Sequence, residues 1–385
     1  MREREREAMK MRRREFRWTA GAFAAGGCRL PGAARGDYDA TVLGDTHFDE
    51  TEWGTYHVGW KPRDDRDAGG RRREFARDAA MWKERLPSLI AAAAKCHRPM
   101  DAFLLQVGDL VQGDTANAEM ELKMYRDALC AVRRGMEELP FLTVAGNHDV
   151  RNGGRPVYDS FFPPYLSKEF GRKFDSTTFH FTQGPDAWIV ADFMQPDAAR
   201  LFAALDETEG CRHTFIVCHS PLTPSDNWGF FWFLFGKKED TALRRRFLAR
   251  ILKRHVIVLC GHLHYTELEE WRRDGGLLTQ FSFNSVWGRP EQSTPELLAS
   301  DPKKWGELYV HKNATDKPEE HDGHYTNRSR AESLALMDEY APGLVRYEKY
   351  DAAGHYRLHV SDAAVTVDFY PGDALVPERT FVLRG

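Results

Sequence analysis

Five apolar runs in this chain end in the same way, and no other feature restricts its fold as much. In residues 102–114, AFLLQVGDLVQGD, the run Phe103, Leu104, Leu105, Val107 stops abruptly at Gly108-Asp109. A continuous apolar run bounded by a turn reads as a strand buried on both faces. Gly108 lets the backbone turn tightly where the strand ends, and Asp109 projects a carboxylate beyond it. The design recurs: ATVLGDTH ends at Asp45 and His47, and PFLTVAGNHD at Asn147, His148 and Asp149. TFIVCHSP ends at His219, and HVIVLCGHLH at His262 and His264. In an open α/β sheet, ligands bind outside the carboxyl ends of the strands. Five strand ends delivering Asp, Asn and His to one edge read as a two-metal site with Asp109 at its centre.

The remaining sequence has to supply a scaffold for that edge. At 385 residues the chain can bury a large core, and 42% hydrophobic with 29% charged residues is ordinary globular composition. A net charge of −4 argues against a protein built to coat nucleic acid. No uninterrupted apolar run approaches the roughly 20 residues a bilayer span requires. The six cysteines, at 28, 96, 130, 211, 218 and 260, have neither disulfide-framework nor zinc-knuckle spacing.

Residues 1–36 read as an export segment rather than part of the fold. Arg13-Arg14-Glu15-Phe16, followed by a small-residue stretch, resembles a twin-arginine signal. Ala25-Gly26-Gly27-Cys28 resembles a lipoprotein cleavage box, with Cys28 as the acylated residue and possible membrane tether. The expected location is outside the cytoplasm, periplasmic or tethered to a membrane. The alternative is a basic arm on a cytoplasmic protein.

Residues 48–70 read as an irregular loop near the site. Residues 71–96 have apolar residues at helical spacing, with Pro87 kinking or dividing the helix, and 118–139 form a second helix. Strand, helix, strand is the pattern of a crossover-connected, largely parallel sheet. Two hairpins are expected, one in 175–194 around Gly184-Pro185-Asp186 and one turning at Asp274-Gly275-Gly276. Short helices are expected at 197–207 and 241–253. Residues 291–342 are polar and only partly helical, and three strand-like runs follow at 344–350, 356–370 and 379–383. The expected division is an export segment at 1–36, a core at 37–290 and a C-terminal extension at 291–385.

The set Asp45-x-His47, Gly108-Asp109, Gly146-Asn147-His148-Asp149, His219 and Gly261-His262-x-His264 resembles the calcineurin-like metallophosphoesterases, in the family's order and at strand ends throughout. The resemblance implies an α/β fold, a four-layer α/β/β/α sandwich of two mixed β-sheets, with the C-terminal strands extending one of them. It implies two divalent metal ions (Mn, Fe, Zn or similar), one on Asp45, His47 and His264 and the other on Asn147, His219 and His262, with Asp109 bridging. Two such cations activate a bridging water and clamp phosphoryl oxygens for in-line hydrolysis. Carboxylate and imidazole ligands suit these metals without choosing among them.

The resemblance also assigns His148 to the leaving oxygen and Asp149 to orienting it, a His⁺ held by a carboxylate being a suitable general acid. Purple acid phosphatases carry a Tyr ligand in Gly-Asp-x-x-Tyr, and here that place is Gln112, which disfavours the iron–tyrosinate variant. Arg151 and the Gly153-Gly154-Arg155 stretch read equally as phosphate-binding groups or ordinary loop surface. The implied activity is hydrolysis of a small phosphomonoester or phosphodiester, with no stable nucleic-acid partner. The rivals are a nuclease or nucleotide phosphodiesterase on the same scaffold, and a non-catalytic binding protein that kept the fold.

Overall fold

The computed structural model describes residues 36–49, 54–61, 65–223, 241–284, 286, 338–350 and 352–385. The expected signal with Cys28, the aromatic run at 228–235 and the loop histidines His311, His321 and His324 lie outside the described residues.

The elements fall within the compact unit Gly32–Gly385. In chain order they begin with β1 (Tyr38–Leu43), α1 (Asp65–Glu84), α2 (Leu86–Cys96), β2 (Asp101–Gln106), α3 (Ala118–Val132) and β3 (Phe141–Thr143). There follow α4 (Asn147–Val150), α5 (Arg155–Glu169), β4 (Phe179–Gln183), β5 (Asp186–Ala191), α6 (Ala198–Glu207) and β6 (Thr214–Cys218). Then come α7 (Thr241–Lys253), β7 (Ile257–Cys260), β8 (Thr266–Arg273) and β9 (Gly276–Ser282). The chain closes with β10 (Leu344–Tyr350), β11 (Gly354–Val360), β12 (Val365–Pro371) and β13 (Arg379–Arg384).

The strands form two mixed sheets. One runs β13-β12-β11-β1-β2-β3 and the other β10-β8-β9-β7-β6-β5-β4. The strands that carry the site are parallel within each sheet: β1, β2 and β3 in the first, β6 and β7 in the second. The second sheet shows why its strands read as continuous apolar runs. Trp188, Val190, Phe215, Val217, Ile257 and Leu259 enter the core between the sheets. Their neighbours Ile189, Ala191, Ile216, Cys218, Val258 and Cys260 pack outward against α6 and α7. Successive side chains point to opposite faces, so a strand covered on both faces has no polar alternation. With α2, α3 and α5 over the first sheet, the result is an α/β/β/α sandwich.

Several expectations are met in detail. Pro87 divides the first helical stretch and lies in the first turn of α2, where its missing N–H costs no hydrogen bond. Helix α3 begins at the expected residue, Ala118, where Asn117 caps it with a side-chain oxygen that accepts from the N–H groups of Glu119 and Met120 at 3.0 Å each. Asp274 and Gly275 both adopt left-handed φ, 51° and 77°, as the tight hairpin between β8 and β9 demands.

Others are corrected. Helix α1 begins at Asp65, inside the stretch read as loop, and its two glycines (about 1 kcal/mol each against Ala) are outweighed by the buried face Phe75, Ala79 and Trp82. Helix α3 stops at Val132 rather than continuing to 139. Helix α5 was not anticipated at all; it contains Pro163-Pro164, each of which costs an interior helix about 3 kcal/mol. It forms because Tyr158, Phe162 and Leu166 are all buried, at about 1.5–3 kcal/mol apiece, with Tyr158 and Phe162 packed on Tyr125. Residues 356–370 are two strands, not one, reversing between Ser361 and Ala364. The C-terminal strands extend both sheets: β10 pairs with β8, while β11 pairs with β1 and carries β12 and β13.

Candidate metal centre

All seven expected ligands meet at the shared carboxyl edge of the two sheets. Asp45 and His47 follow β1, Asp109 follows β2, and Asn147 opens α4. His219 follows β6, and His262 and His264 follow β7. Three overlapping groups bring their ligand atoms within 4.8 Å of one another: Asp45, His47 and His264; His47, Asp109 and His148; Asp109, His219 and His262. His264 Nε2 lies 3.2 Å from Asp45 Oδ2 and 3.2 Å from His47 Nε2. On the other side, His219 Nε2 lies 3.2 Å from Asn147 Oδ1 and 3.3 Å from His262 Nδ1. Asp109 stands between, its Oδ2 3.1 Å from His219 Nε2 and 3.7 Å from His47 Nε2.

The backbone is bent to achieve this. His47, Asp109, His262 and His264 have φ of 41°, 50°, 70° and 57°. Non-glycine residues rarely enter that region, at a cost of order 1–3 kcal/mol each, and cluster at functional sites when they do. The strand ends are tied together: the N–H groups of Thr46 and His47 donate to Asp109 O at 3.0 and 2.9 Å. From α1, the Trp82 indole N–H donates to the carbonyls of Thr46 and His47 at 2.9 and 3.2 Å. The sequence places Trp82 on a helical core face, and a buried indole that needs an acceptor is the one signal of this second role. Gly108 (φ 95°) packs so tightly on His219 that an added Cβ would stand 2.6 Å from the ring's Nδ1.

The donor atoms face inward because their other atoms are occupied. The main-chain N–H of His148 donates to Asp109 Oδ1 at 2.7 Å, which leaves Oδ2 toward the cluster. The main-chain N–H of His262 lies 3.2 and 2.9 Å from the two oxygens of Asp45 and fixes its carboxylate in place. His219 Nδ1 donates to the Val107 carbonyl at 2.9 Å, so Nε2 faces Asp109 and Asn147. A ligand imidazole fixed through its other nitrogen is the usual arrangement around a bound metal.

Charge follows the same plan. Burial holds His47, His148 and His262 well below the ordinary histidine pKa, so His47 and His262 face the cluster as neutral donors and His148 stands beside it as a neutral ring. Burial alone would raise Asp109, but the surrounding imidazoles, His219 foremost, hold it well below the carboxylate range. Burial lowers His219, yet the carboxylates of Asp109 and Asp45 overrule it and lift its pKa to about 9. Those carboxylates call for positive charge at a point ringed by oxygen and nitrogen lone pairs. A divalent cation supplies that charge and replaces the proton on His219, so the residues fit a metal.

The surroundings of His148 differ from expectation. Asp149 does not hold the ring: its carboxyl accepts from the N–H groups of Gly146 and Val111 at 2.9 and 3.1 Å and ties two strand ends together. Burial, followed by the Asp109 charge, raises its pKa to about 8. The His148 ring instead meets Gln112 and Arg151. Its Nδ1 lies 3.1 Å from both the main-chain and side-chain oxygens of Gln112, and Arg151 Nη1 donates to its Nε2 at 3.1 Å. The ring also meets the edge of His47, with centroids 4.4 Å apart, which places it beside the ligand cluster.

Two parallel-stranded edges facing one another across a metal-type cluster define a metal-dependent hydrolase architecture. Residues 39–266 match the family described as calcineurin-like phosphoesterase, and the chain belongs to it. It is a metal-dependent phosphoesterase. Its fold is similar to that of the structure titled "Structure of PhoD", at 10% identity and a TM-score of 0.50, covering 92% of this chain and 70% of that one. It is likewise similar to a dimetal phosphatase from Danio rerio, at 11% identity and a TM-score of 0.50, covering 90% of this chain and 98% of that one. Among curated proteins no sequence match is found.

Proposed function

We propose that the cluster holds two divalent cations and hydrolyses small phosphate esters. Asp45, His47 and His264 would hold one ion and Asn147, His219 and His262 the other, with Asp109 shared. The observation that carries this reading is the placement of Asp109 Oδ2 between His219 and His47, at 3.1 and 3.7 Å, with a ligand group on either side. When bound, such ions neutralise the phosphoryl oxygens and acidify water. Imidazole and carboxylate donors suit Mn, Fe or Zn.

The protein's own groups do the rest. The main-chain N–H of His148 fixes the shared carboxylate, and Asn147 adds an oxygen ligand without adding negative charge. The His148 ring, ordered by Gln112 and Arg151 beside the cluster, would be the group that meets the leaving oxygen. Arg13-Arg14 and Cys28 support a substrate met outside the cytoplasm by an exported, lipid-tethered enzyme.

The test is metal analysis combined with a matched panel of aryl monoester, aryl diester and nucleic acid. Wild-type protein should bind about two ions and prefer a small ester. Asp109→Asn should lose at least one ion and lower turnover by about a thousandfold or more. His148→Asn should keep both ions and lose about a hundredfold in turnover. A wild-type protein that takes up no divalent ion, or an Asp109→Asn variant of full activity, would overturn the reading.

A further inference from the structure

Gln106 is the one polar side chain in the run that leads to Gly108-Asp109, and it is completely buried. A buried amide is costly unless its hydrogen bonds are made, and this one makes four. Its Oε1 accepts from the Thr143 hydroxyl at 2.6 Å and from the Gly108 N–H at 3.1 Å. Its Nε2 donates to the Gly108 carbonyl at 2.5 Å and to the Gly44 carbonyl at 3.3 Å. Two carbonyls require the NH2 group where it stands and an N–H requires the oxygen, so the amide has one orientation and no spare capacity.

These bonds fall between two stretches of main-chain pairing. The ladder of β1 with β2 ends at Leu43 opposite Gln106, and that of β2 with β3 at Gln106 opposite Thr143. Pairing resumes where Thr46 and His47 donate to the Asp109 carbonyl and Phe48 to that of Leu110. In between, the chain turns to present Asp45 and Asp109. The Gly44 carbonyl belongs to the peptide that enters Asp45, and the Gly108 carbonyl to the peptide that enters Asp109. A peptide is planar, so fixing its oxygen fixes the bond about which the next residue turns. One side chain thereby sets the backbone immediately before two carboxylate ligands, one of them held at a φ of 50°. Gly108, at φ 95°, has both its N–H and its carbonyl on the same amide.

We propose that Gln106 is a positioning residue of the metal centre: its amide sets the spacing of the turns that carry Asp45 and Asp109, and with it the affinity for the ion assigned to Asp45, His47 and His264. This rests on the two-ion reading and deepens it. That ion takes Asp45 and the shared Asp109 from turns tied to Gln106, whereas of the other ion's ligands only Asp109 follows such a turn. Loss of the amide therefore weakens the first ion more than the second. A residue that served folding alone would lower stability and leave both affinities as they are.

The experiment titrates the metal-stripped protein with Mn²⁺ by calorimetry, below the melting temperature of every variant, and measures that temperature for each. Wild type should take up two ions, and His264→Ala identifies the step that belongs to the first. Gln106→Met keeps the length of the side chain without its hydrogen bonds. It should weaken that step about 10- to 100-fold and the other step by less. Thr143→Val removes only the hydroxyl that orients the amide and should weaken the same step about three- to tenfold. Thr41→Val is the control for stability, since it removes a buried hydroxyl that donates to Asp101 Oδ2 at 2.9 Å, at the far end of β2. It should lower the melting temperature and leave both affinities unchanged. Wild-type affinity at the first step in Gln106→Met, or in Thr143→Val where Gln106→Met does not fold, would overturn the role of Gln106 alone. A loss that Thr41→Val reproduces would do the same. A wild type that takes up fewer than two ions would overturn the two-ion reading along with it.

Discussion

A methyl group on Gly261 would fall on Asp45 Oδ1, and on the side chain of Val107 at 2.9 Å. The position makes no demand on φ that only glycine meets, so alanine there tests space alone. Gly261→Ala should displace the Asp45 carboxylate and weaken metal retention about 10- to 100-fold, the cost typical of a disturbed ligand support. Melting in the absence of metal should change little. Metal titration of the two proteins checks this, and an unchanged affinity would mean that the loop after β7 yields.

At this scale the ligands themselves were legible, because each stands in a short pattern at the end of an apolar run. The partners of His148 were not. Gln112 and Arg151 reach the ring beside Asp114 and Asn152, which turn the chain through left-handed conformations; Asp and Asn favour such turns, but a turn signal does not say which side chains the turn brings together. Asp149, adjacent to His148 in sequence, was the obvious partner and is directed at backbone instead.

On α3, Glu121 tests whether an element tolerates charge on its buried face. Its Oε2 accepts from Thr115 Oγ1 at 2.7 Å, and burial raises its pKa to about 7. The folded state thus holds a proton that the unfolded chain releases at the ordinary glutamate pKa of about 4.3. The associated stability is complete below that value and is lost as pH rises through about 7. Glu121→Gln stays neutral and escapes the loss. Near pH 4 or below the two proteins should be about equally stable, and above pH 8 the variant should be more stable by up to about 3 kcal/mol. Urea denaturation across that range decides, and parallel curves would show that Glu121 is solvated.

Elements were legible where one signal dominated: the ligand strands by apolar runs, the hairpin at Asp274-Gly275 by turn chemistry, and α2 by Pro87. They were misread where local and tertiary preferences disagree. Helix α5, for which no expectation was formed, shows the same conflict: the double proline speaks against a helix and the aromatic face outweighs it. In residues 356–370 the four-residue reversal after Val360 carries no glycine or proline to mark it.

The molecule as a whole depends on a strand near the C-terminal end of the chain. Strand β11 pairs antiparallel with β1, placing Asp39 opposite His359 and Thr41 opposite Arg357 across more than three hundred residues of chain. No local pattern specifies that pairing, and the sequence showed only that strands would follow the core. Charge specifies it in space. Arg357, fully buried, donates to Asp39 Oδ2 and Asp101 Oδ1 at 2.7 Å each, so one guanidinium joins β11 to both β1 and β2. His359 continues the chain of charges, 2.8 Å from Asp39 and 3.0 Å from Asp368 on β12.

Burial alone would raise the Asp39 pKa, but His359 and Arg357 hold it below the ordinary value. The His359 pKa is raised, chiefly by its hydrogen bond to Asp39. The Asp39 contribution is therefore present above the ordinary aspartate pKa and lost as pH falls through its depressed folded value. The His359 contribution is present below the ordinary histidine pKa and lost as pH rises through its elevated folded value. Together they stabilise the β11–β1 junction most in a window between the two ordinary values, roughly pH 4 to 6.5. Arg357→Met should cost about 3–5 kcal/mol at any pH in that window, because it leaves buried carboxylates without their cation. His359→Gln should cost most within the window and progressively less above it. Denaturant titrations of the three proteins at pH 5.5, 7.0 and 8.5 measure both effects. A His359→Gln deficit that grows toward pH 8.5 would mean that the imidazole joins β11 to β1 as a neutral group rather than as a cation.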